Sequence, residues 1–257
     1  MKGIKKHTHA DREKIINEMV PLIKDKFGDN LVALAAQASY ARGDDADYSD
    51  LELTAFLKEM PEGKNTQGMS VIKDGMLIEL QWTTRKLYIS EVKEPAEEWY
   101  IAGSDVLLPL INEEFISELN SYKIENLKEK CLKQGVRHWP SVQESTTKLL
   151  NAINQENREG IPLLVFYVLK DTLISLSFLN RTPYTTAGKF IAEARNFQLK
   201  PGRYDEFLDM VVDGKYGDLE LLKELTVSIF EKFERIFEEL GSTLYDDSPD
   251  LKIEKNW

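Results

Sequence analysis

The sequence predicts an α+β protein in which a mixed sheet with flanking helices is followed by a C-terminal helical bundle. Strand patterns are confined to the part of the chain before Lys93, whereas the longest helical patterns lie beyond residue 141. The length of 257 residues also exceeds that of a typical single domain. We therefore expect a sheet domain over residues 1–93, a connecting segment over 94–140 and a helical domain over 141–257.

The elements of the first domain follow from hydrophobic periodicity and turn residues. Apolar residues at helical spacing over 15–27 predict a helix that ends at Gly28. The short apolar run 31–36 is typical of a buried strand, and the alternating pattern of 50–57 indicates a second strand. Two further strands are expected on either side of Asp74-Gly75, because this dipeptide favours a two-residue hairpin turn.

Two long patterns predict the main helices of the second domain. Residues 163–179 are apolar but too short and too polar at their flanks to span a membrane, so we expect a buried helix. Residues 218–240 place apolar side chains on one helical face, and Gly241 follows them as a stop. Because the start lacks a signal-peptide core and Cys131 is the single cysteine, we expect a soluble cytoplasmic protein with neither disulfides nor a membrane partner.

The net charge of −11 is distributed unevenly along the chain. Through Lys93 there are 14 basic and 15 acidic residues, whereas the remainder has 19 basic and 29 acidic ones. Broad nucleic-acid binding needs a basic surface, so we expect no nucleic-acid partner. The acidic remainder could attract a cationic ligand, or its carboxylates could belong to solvated helix faces, and composition alone leaves both readings open.

A group of carboxylates marks a candidate metal site. Residues i and i+2 of a strand face the same way, so Asp50 and Glu52 present two carboxylates on one side of the predicted strand. Glu79, on the second strand of the hairpin, could add a third. Hard cations such as Mg²⁺ take oxygen ligands from carboxylates and substrate phosphates, so the pattern predicts a magnesium platform. A solvated strand face is the alternative explanation for an isolated Asp-x-Glu.

The preceding turn makes the pattern more specific. Ala38 and Ser39 are small residues directly after the first strand, where backbone amides and a hydroxyl could approach phosphates. Ten residues separate Ser39 from Asp50, which opens the next strand. The sequence has no Gly-rich Lys-Ser/Thr phosphate loop, so a P-loop NTPase is not expected. The three histidines show no metal-ligand spacing and are expected to be structural or surface residues.

These motifs resemble those of polymerase-beta-type nucleotidyltransferases, whose signature is Gly-Ser, a short gap and Asp-x-Asp/Glu opening a strand. More narrowly, the chain resembles the kanamycin nucleotidyltransferase family, the aminoglycoside 4′-adenylyltransferases. The resemblance covers about residues 11–93 and resumes over about 141–240, including Pro183-Tyr184-Thr185-Thr186. It implies Mg-dependent transfer of AMP from ATP to a hydroxyl of a small, cationic acceptor such as an aminoglycoside antibiotic. The unmatched segment 94–140 is expected to help form the acceptor pocket.

The resemblance implies roles for residues of the first domain, which it identifies as a nucleotidyltransferase domain. Four positions fall on or beside the residues that hold the nucleotide phosphates: Ala38, Ser39, Arg42 and Ser49. Asp50 and Glu52 fall on the magnesium-binding pair. Glu79 falls where the family has a carboxylate facing the site, so contact with the acceptor is expected.

The resemblance also implies roles for two residues of the helical domain. Glu144 falls on the catalytic base, which would also contact the acceptor, and Lys148 falls on the lysine at the nucleotide's α-phosphate. The family works as a homodimer, each site lying between the nucleotide domain of one subunit and the helical domain of the other. By spacing alone, Glu144 and Lys148 could equally form an ordinary i,i+4 ion pair on a helix surface.

One departure from the family pattern keeps rival functions open. Ala38 stands where the family has Gly, which tolerates unusual φ values and close backbone approach. The alternatives are therefore a non-catalytic nucleotide- or partner-binding protein on the same fold, or an adenylyltransferase for a non-aminoglycoside acceptor.

Overall fold

The computed structural model describes residues 3–61 and 65–245, which form two compact units. The first unit comprises Met1–Glu125 and Pro183–Ala187, and the second comprises Asn126–Thr182 and Gly188–Trp257. A mixed sheet with helices in the first unit and helices in the second confirm the predicted α+β class. Residues 246–257 of the predicted helical domain lie outside the described residues.

The first unit alternates helices and strands. Its helices and strands are, in chain order, α1 (His9–Phe27), β1 (Leu31–Ala36), α2 (Ala38–Arg42), β2 (Leu51–Leu57), β3 (Gln67–Lys73), β4 (Met76–Thr84), α3 (Arg85–Tyr88), α4 (Trp99–Ala102), β5 (Leu108–Ile111) and α5 (Glu113–Asn120). A 3₁₀ turn (Gly28–Asn30) follows α1, and a π-helical turn (Ile89–Lys93) follows α3.

Within the described residues, the strands form one five-stranded sheet of order β3-β4-β2-β1-β5. β2 and β4 pair in parallel, and the other neighbours pair antiparallel. The predicted helix, the first two strands and the hairpin are confirmed. Asp74 and Gly75 have φ values of 52° and 84°, which suit the type I′ turn that joins twisted strands.

β5 is the strand that sequence patterns did not reveal. It is four residues long, contains Pro109 and lies at the sheet edge beside β1. Proline cannot donate a ladder hydrogen bond, so it is confined to edge strands and breaks the usual strand signature. The sheet therefore extends beyond residue 93, and the first unit extends to Glu125.

The two faces of the sheet have different environments. One face packs against Ile15, Ile16 and Ile23 of α1. The sheet residues of that core are Leu34, Ala36, Leu51, Leu53, Ala55, Met76, Ile78 and Leu80. On the opposite face, Ala33, Ala35 and Phe56 pack with Tyr88, Ile116 and Leu119. Because side chains alternate along a strand, Glu52 lies on this second face, between Leu51 and Leu53 of the first.

The second unit is helical. Its helices are α6 (Leu127–Asn154), α7 (Ile161–Asn180), α8 (Phe190–Ala194), α9 (Tyr204–Val212) and α10 (Leu219–Glu239). A 3₁₀ turn over Ala187–Lys189 begins at the last residue of the first unit and continues into the second. The two predicted long helices correspond to α7 and α10. Asp218 caps α10 by accepting a hydrogen bond from the Leu221 amide at 3.0 Å, and Gly241 follows with φ 83°.

α7 is the one helix among the described residues whose length and composition would allow it to cross a membrane. Most of its apolar window is buried inside the structure. Twelve of its residues, from Ile161 to Leu179, are buried. A core helix of a globular domain passes the same test of length and composition, so this helix is weak support for a membrane span.

Candidate active site

Three carboxylates meet on the sheet face that lies away from α1. Asp50 directly precedes β2, Glu52 is its second residue, and Glu79 lies on β4. The parallel register places Glu52 opposite Glu79, so their side chains are neighbours on one face. One oxygen from each of the three carboxylates lies within 4.8 Å of the others. The structure thus brings together the residues predicted as a metal platform.

The electrostatics of this group suit a divalent cation. Burial, followed by the charges of Asp50, Asp105 and Glu79, raises the pKa of Glu52 to about 7, against a smaller lowering by Arg42. Ser70 Oγ donates a hydrogen bond to Glu79 Oε1 at 3.1 Å. A hard cation would neutralise the repulsion between these half-buried carboxylates, and their all-oxygen donor set is the kind that Mg²⁺ prefers.

We expect the apparent affinity of the protein for Mg²⁺ to fall about tenfold for each pH unit below about 7, because a proton on Glu52 competes with the cation. The folded pKa lies above the unfolded value of 4.5, so this carboxyl stabilises the metal-free fold fully below pH 4.5 and loses that contribution as pH rises through 7. Added Mg²⁺ should therefore raise the melting temperature more at pH 8 than at pH 5.5.

The measurement is thermal unfolding with and without Mg²⁺ across this pH range. A Glu59→Gln variant, which changes an exposed carboxylate just after β2, should show the same pH dependence as the unmodified protein. A Mg²⁺-induced shift that is equal at pH 5.5 and 8 would contradict the expectation.

Ala38 adopts a backbone conformation that favours glycine. It is the first residue of α2 and has φ 54°, in the left-handed region. A side-chain Cβ makes this region unfavourable by roughly 1 to 2 kcal/mol. Glycine would adopt this φ value without that cost, and Ala38 adopts it in spite of its methyl group.

We expect Ala38→Gly to stabilise the first unit by about 1 kcal/mol, because it removes this backbone strain. ATP affinity should stay within a few-fold. Chemical denaturation and nucleotide titration measure the two quantities. Gly43→Ala is the matched control: Gly43 ends α2 at φ 72° with open space around it, so Ala there should cost a similar amount. A large gain in ATP affinity for Ala38→Gly would instead show that the methyl group obstructs the phosphates.

Arg42 belongs to a cluster of oppositely charged residues, of which it is the one that the sequence predicted as a site residue. Its Nη1 donates to Asp105 Oδ1 at 3.1 Å and its Nε to Asp44 Oδ1 at 3.2 Å. Burial raises the pKa of Asp105, while Arg42 and Lys93 lower it. The Lys93 ammonium is buried and donates to the main-chain oxygen of Asp105 at 2.7 Å. Asp105 and Lys93 have no local sequence pattern that could have revealed them.

A cleft of about 550 Å³ in the first unit connects these groups. Its size is in the usual range for small-molecule sites. Six of the predicted site residues line it: Ala38, Ser39, Arg42, Ser49, Asp50 and Glu52. Glu79 adjoins Glu52 but is not a lining residue. The remaining lining residues include Gln37, Gln81, Tyr88, Glu91, Glu98, Asp105, Thr185 and Thr186.

Arg12 of α1 fixes the loop that carries Ser49 and Asp50. The side chain of Arg12 is fully buried. Its guanidinium donates to four acceptors: His7 O at 3.2 Å, Ala46 O at 2.7 Å, Ser49 O at 2.6 Å and Asp45 Oδ2 at 2.9 Å. Sequence reasoning missed this residue because an arginine in the first turns of an amphipathic helix is normally solvated.

Glu144 and Lys148 lie in the second unit, on the exposed side of α6. Lys148 Nζ donates to Glu144 Oε1 at 2.7 Å, which is the i,i+4 pair that their spacing allows. The hydrogen bond and charge of Lys148 lower the pKa of Glu144, and those of Glu144 raise the pKa of Lys148. Their assignment as base and phosphate contact stays a prediction.

Comparison with known proteins independently supports the resemblance stated from the motifs. Residues 141–243 match the family model of the KNTase C-terminal domain. Aminoglycoside nucleotidyltransferases (4′) from Staphylococcus aureus and a Bacillus species are each 23% identical over 235 residues, 84% of this chain and 86% of theirs. A protein from Methanocaldococcus jannaschii named "Putative protein adenylyltransferase" is 40% identical over 48 residues, 19% of this chain and 33% of that one.

A solved structure shares the fold. The nucleotidyltransferase-like protein from Exiguobacterium sibiricum superposes with a TM-score of 0.50 at 9% identity, covering 87% of this chain and 75% of that chain. At this identity the likeness concerns the fold alone. Together with the sequence matches, it confirms the predicted α+β class and the resemblance stated from the motifs.

Proposed function

We propose that this chain, a nucleotidyltransferase with a KNTase C-terminal domain over residues 141–243, transfers AMP from ATP to a hydroxyl of a small cationic acceptor of the aminoglycoside kind. The observation that carries the proposal is the convergence of Asp50, Glu52 and Glu79 beside a cleft of about 550 Å³. The 4′ aminoglycoside nucleotidyltransferases, which match over most of the chain, support the choice of acceptor.

The first unit would bind the triphosphate and its metal. Ser39, Ser49 and the backbone at Ala38 line the cleft and offer polar groups to phosphate oxygens, and Arg42 offers a planar guanidinium. Asp50 and Glu52 would hold Mg²⁺. When bound, Mg²⁺ supplies neutralising charge to the triphosphate and to the pyrophosphate that leaves.

In the proposed reaction, the acceptor hydroxyl oxygen forms a bond to the α-phosphorus while the bond from that phosphorus to the bridging oxygen breaks. Pyrophosphate leaves, and the hydroxyl proton passes to Glu144. Such proton transfer typically contributes about 100- to 10,000-fold. Lys148 would stabilise charge at the α-phosphate. The hydrogen bond and charge of Lys148 lower the pKa of Glu144. If the Lys148 ammonium moved to the phosphate, the pKa of Glu144 would rise and its carboxylate would become a stronger base.

The acceptor side of the proposal rests on charge. Residues beyond Lys93 carry 29 acidic and 19 basic side chains, which favours a polycation. Glu79 and Glu144 are the proposed acceptor contacts. In keeping with the family resemblance, we propose a homodimer in which the helical unit of a second copy supplies Glu144 and Lys148 to each site.

The decisive experiment incubates the protein with ATP labelled at the α-phosphate, Mg²⁺ and a panel of aminoglycosides. Label on an aminoglycoside together with stoichiometric pyrophosphate supports the proposal. Nucleotide binding without pyrophosphate release would instead identify a non-catalytic binding protein.

A second candidate acceptor is a protein. The local 40% identity to the protein named "Putative protein adenylyltransferase" favours this alternative. Extending the labelled assay to a cell extract distinguishes the two, because label would then migrate with a protein band and not with the aminoglycoside.

A further inference from the structure

Tyr88 brings a buried phenol to the cleft. It ends α3, is 3% exposed and is a lining residue. Its ring packs edge-on against Phe56 with centroids 5.1 Å apart, within the core of the second sheet face. The ring is therefore held by packing, and the hydroxyl cannot turn out to solvent without breaking that contact.

The hydroxyl of Tyr88 has no hydrogen-bond partner among the described residues. Buried polar groups in folded proteins nearly always have partners, because an unpaired one loses its water without compensation. Burial raises the pKa of this phenol well above its usual value, so the group is a neutral O–H donor at physiological pH. It lacks an acceptor, and the cleft is where an acceptor can arrive.

The neighbouring charge restricts what that acceptor can be. Asp105 lines the same cleft as Tyr88, and its Oδ1 accepts a hydrogen bond from Arg42 Nη1 at 3.1 Å. A ligand group that contacts both residues must accept a hydrogen bond from Tyr88 and donate one to Asp105. A hydroxyl group can do both at the same time, whereas an unprotonated phosphate oxygen has no proton to donate.

We propose that Tyr88 is a substrate-binding residue whose hydroxyl donates to a sugar hydroxyl of a ligand in the cleft, with Asp105 accepting from the same group. The inference rests on the proposed function, which supplies two sources of that chemistry. One is the ribose of the nucleotide, and the other is a ring of the acceptor. Both are distinguishable by experiment.

The test is Tyr88→Phe, which removes the hydroxyl and keeps the ring. We expect the KM of one substrate to rise roughly 3- to 10-fold, the effect of one neutral hydrogen bond. The melting temperature of the substrate-free protein should stay the same or rise, because the lost hydroxyl was unpaired. This combination separates a binding role from a structural one.

Tyr204→Phe is the matched control. Tyr204 is fully buried in the second unit, and its hydroxyl is paired with Thr172 Oγ1 at 2.8 Å. The same substitution there should lower the melting temperature and leave both KM values unchanged.

Substrate analogues identify the source of the sugar hydroxyl. If it is the ribose, 2′-deoxy-ATP or 3′-deoxy-ATP should bind the unmodified protein more weakly than ATP, and Tyr88→Phe should no longer distinguish that analogue from ATP. If it is the acceptor, the acceptor KM rises and the ATP KM does not. If both KM values of Tyr88→Phe stay within twofold of those of the unmodified enzyme, the role assigned to Tyr88 is wrong, while the proposed function is unaffected. An unmodified protein that binds neither substrate in calorimetry would overturn the proposed function and this assignment with it.

Discussion

Asp50→Asn is expected to lower kcat/KM for adenylyl transfer by at least about 1,000-fold while leaving the fold intact. Asn has nearly the same shape as Asp but lacks the negative charge that a hard cation requires. Asp50 directly precedes β2, and its charge helps to raise the pKa of Glu52. Removing that charge relieves repulsion in the metal-free protein, so the melting temperature should not fall. Turnover measured with Mg²⁺ and ATP gives the first quantity, and thermal unfolding gives the second.

Asp47→Asn is the control for this variant. Asp47 lies in the same loop, but it is exposed and paired with Lys6 at 2.8 Å. Its loss should change kcat/KM by less than about twofold, since exposed ion pairs contribute little. Full activity in Asp50→Asn would show that the three carboxylates of Asp50, Glu52 and Glu79 do not form the metal site on which catalysis depends.

The same variant tests the proposed sharing of sites between subunits. Asp50→Asn and Glu144→Gln would each inactivate every site of their own homodimer. Mixed subunits would contain one site with both defects and one with neither, so random exchange should restore roughly a quarter of the activity. No recovery after verified exchange would mean that each site takes both residues from one chain.

Arg12→Met is expected to destabilise the first unit by about 3 to 5 kcal/mol and to lower its melting temperature by roughly 10 °C or more. The substitution leaves Asp45, whose side chain is 2% exposed, without its buried cation. Three main-chain oxygens lose their donor at the same time. Because Ser49 is one of them, the loop before Asp50 should also lose its fixed position, and Mg²⁺ affinity should decrease. Chemical denaturation and Mg²⁺ titration follow the two effects.

Two further variants test the cause of this loss. Lys14→Met changes another cation of α1, which is largely exposed and paired with Asp11 at 3.3 Å, so it should cost less than about 0.5 kcal/mol. Adding Asp45→Asn to Arg12→Met should recover part of the loss, because it removes the buried carboxylate charge, for which the exposed His9 at 2.7 Å would be the remaining partner. Equal stability of the Arg12 and Lys14 variants would contradict the role assigned to the buried guanidinium.

Elements with a repeating pattern could be predicted from the sequence. α1 and α10 show helical periodicity and β2 shows alternation, so local spacing was sufficient for them. α7 was indicated by the length of its continuous apolar stretch. The facing of Asp50 and Glu52 follows from the same two-residue period. β5 could not be found in this way, because Pro109 interrupts a strand of only four residues whose pairing partner lies far away in the sequence.

The rest of the site depends on long-range contacts. Arg12 meets Ser49 across 37 positions, and Arg42 meets Asp105 across 63. Tyr88 is an aromatic residue in a short helix, and only its burial next to a cleft shows that its hydroxyl needs a partner. No pattern of neighbouring residues encodes these contacts. The roles of Glu144 and Lys148 and the domain boundaries at 93 and 140 stay predictions.

The parallel pairing of β2 with β4 makes the carboxylate spacing independent of the chain between them. Seven ladder pairs, from Leu51–Ile78 to Leu57–Thr84, determine where Glu79 stands relative to Glu52. The turn at Asp74-Gly75 lies outside that ladder. A change at this turn that leaves the β2–β4 ladder intact should therefore leave the distance between the two glutamates unchanged, so that the hairpin loop and the carboxylates can vary separately.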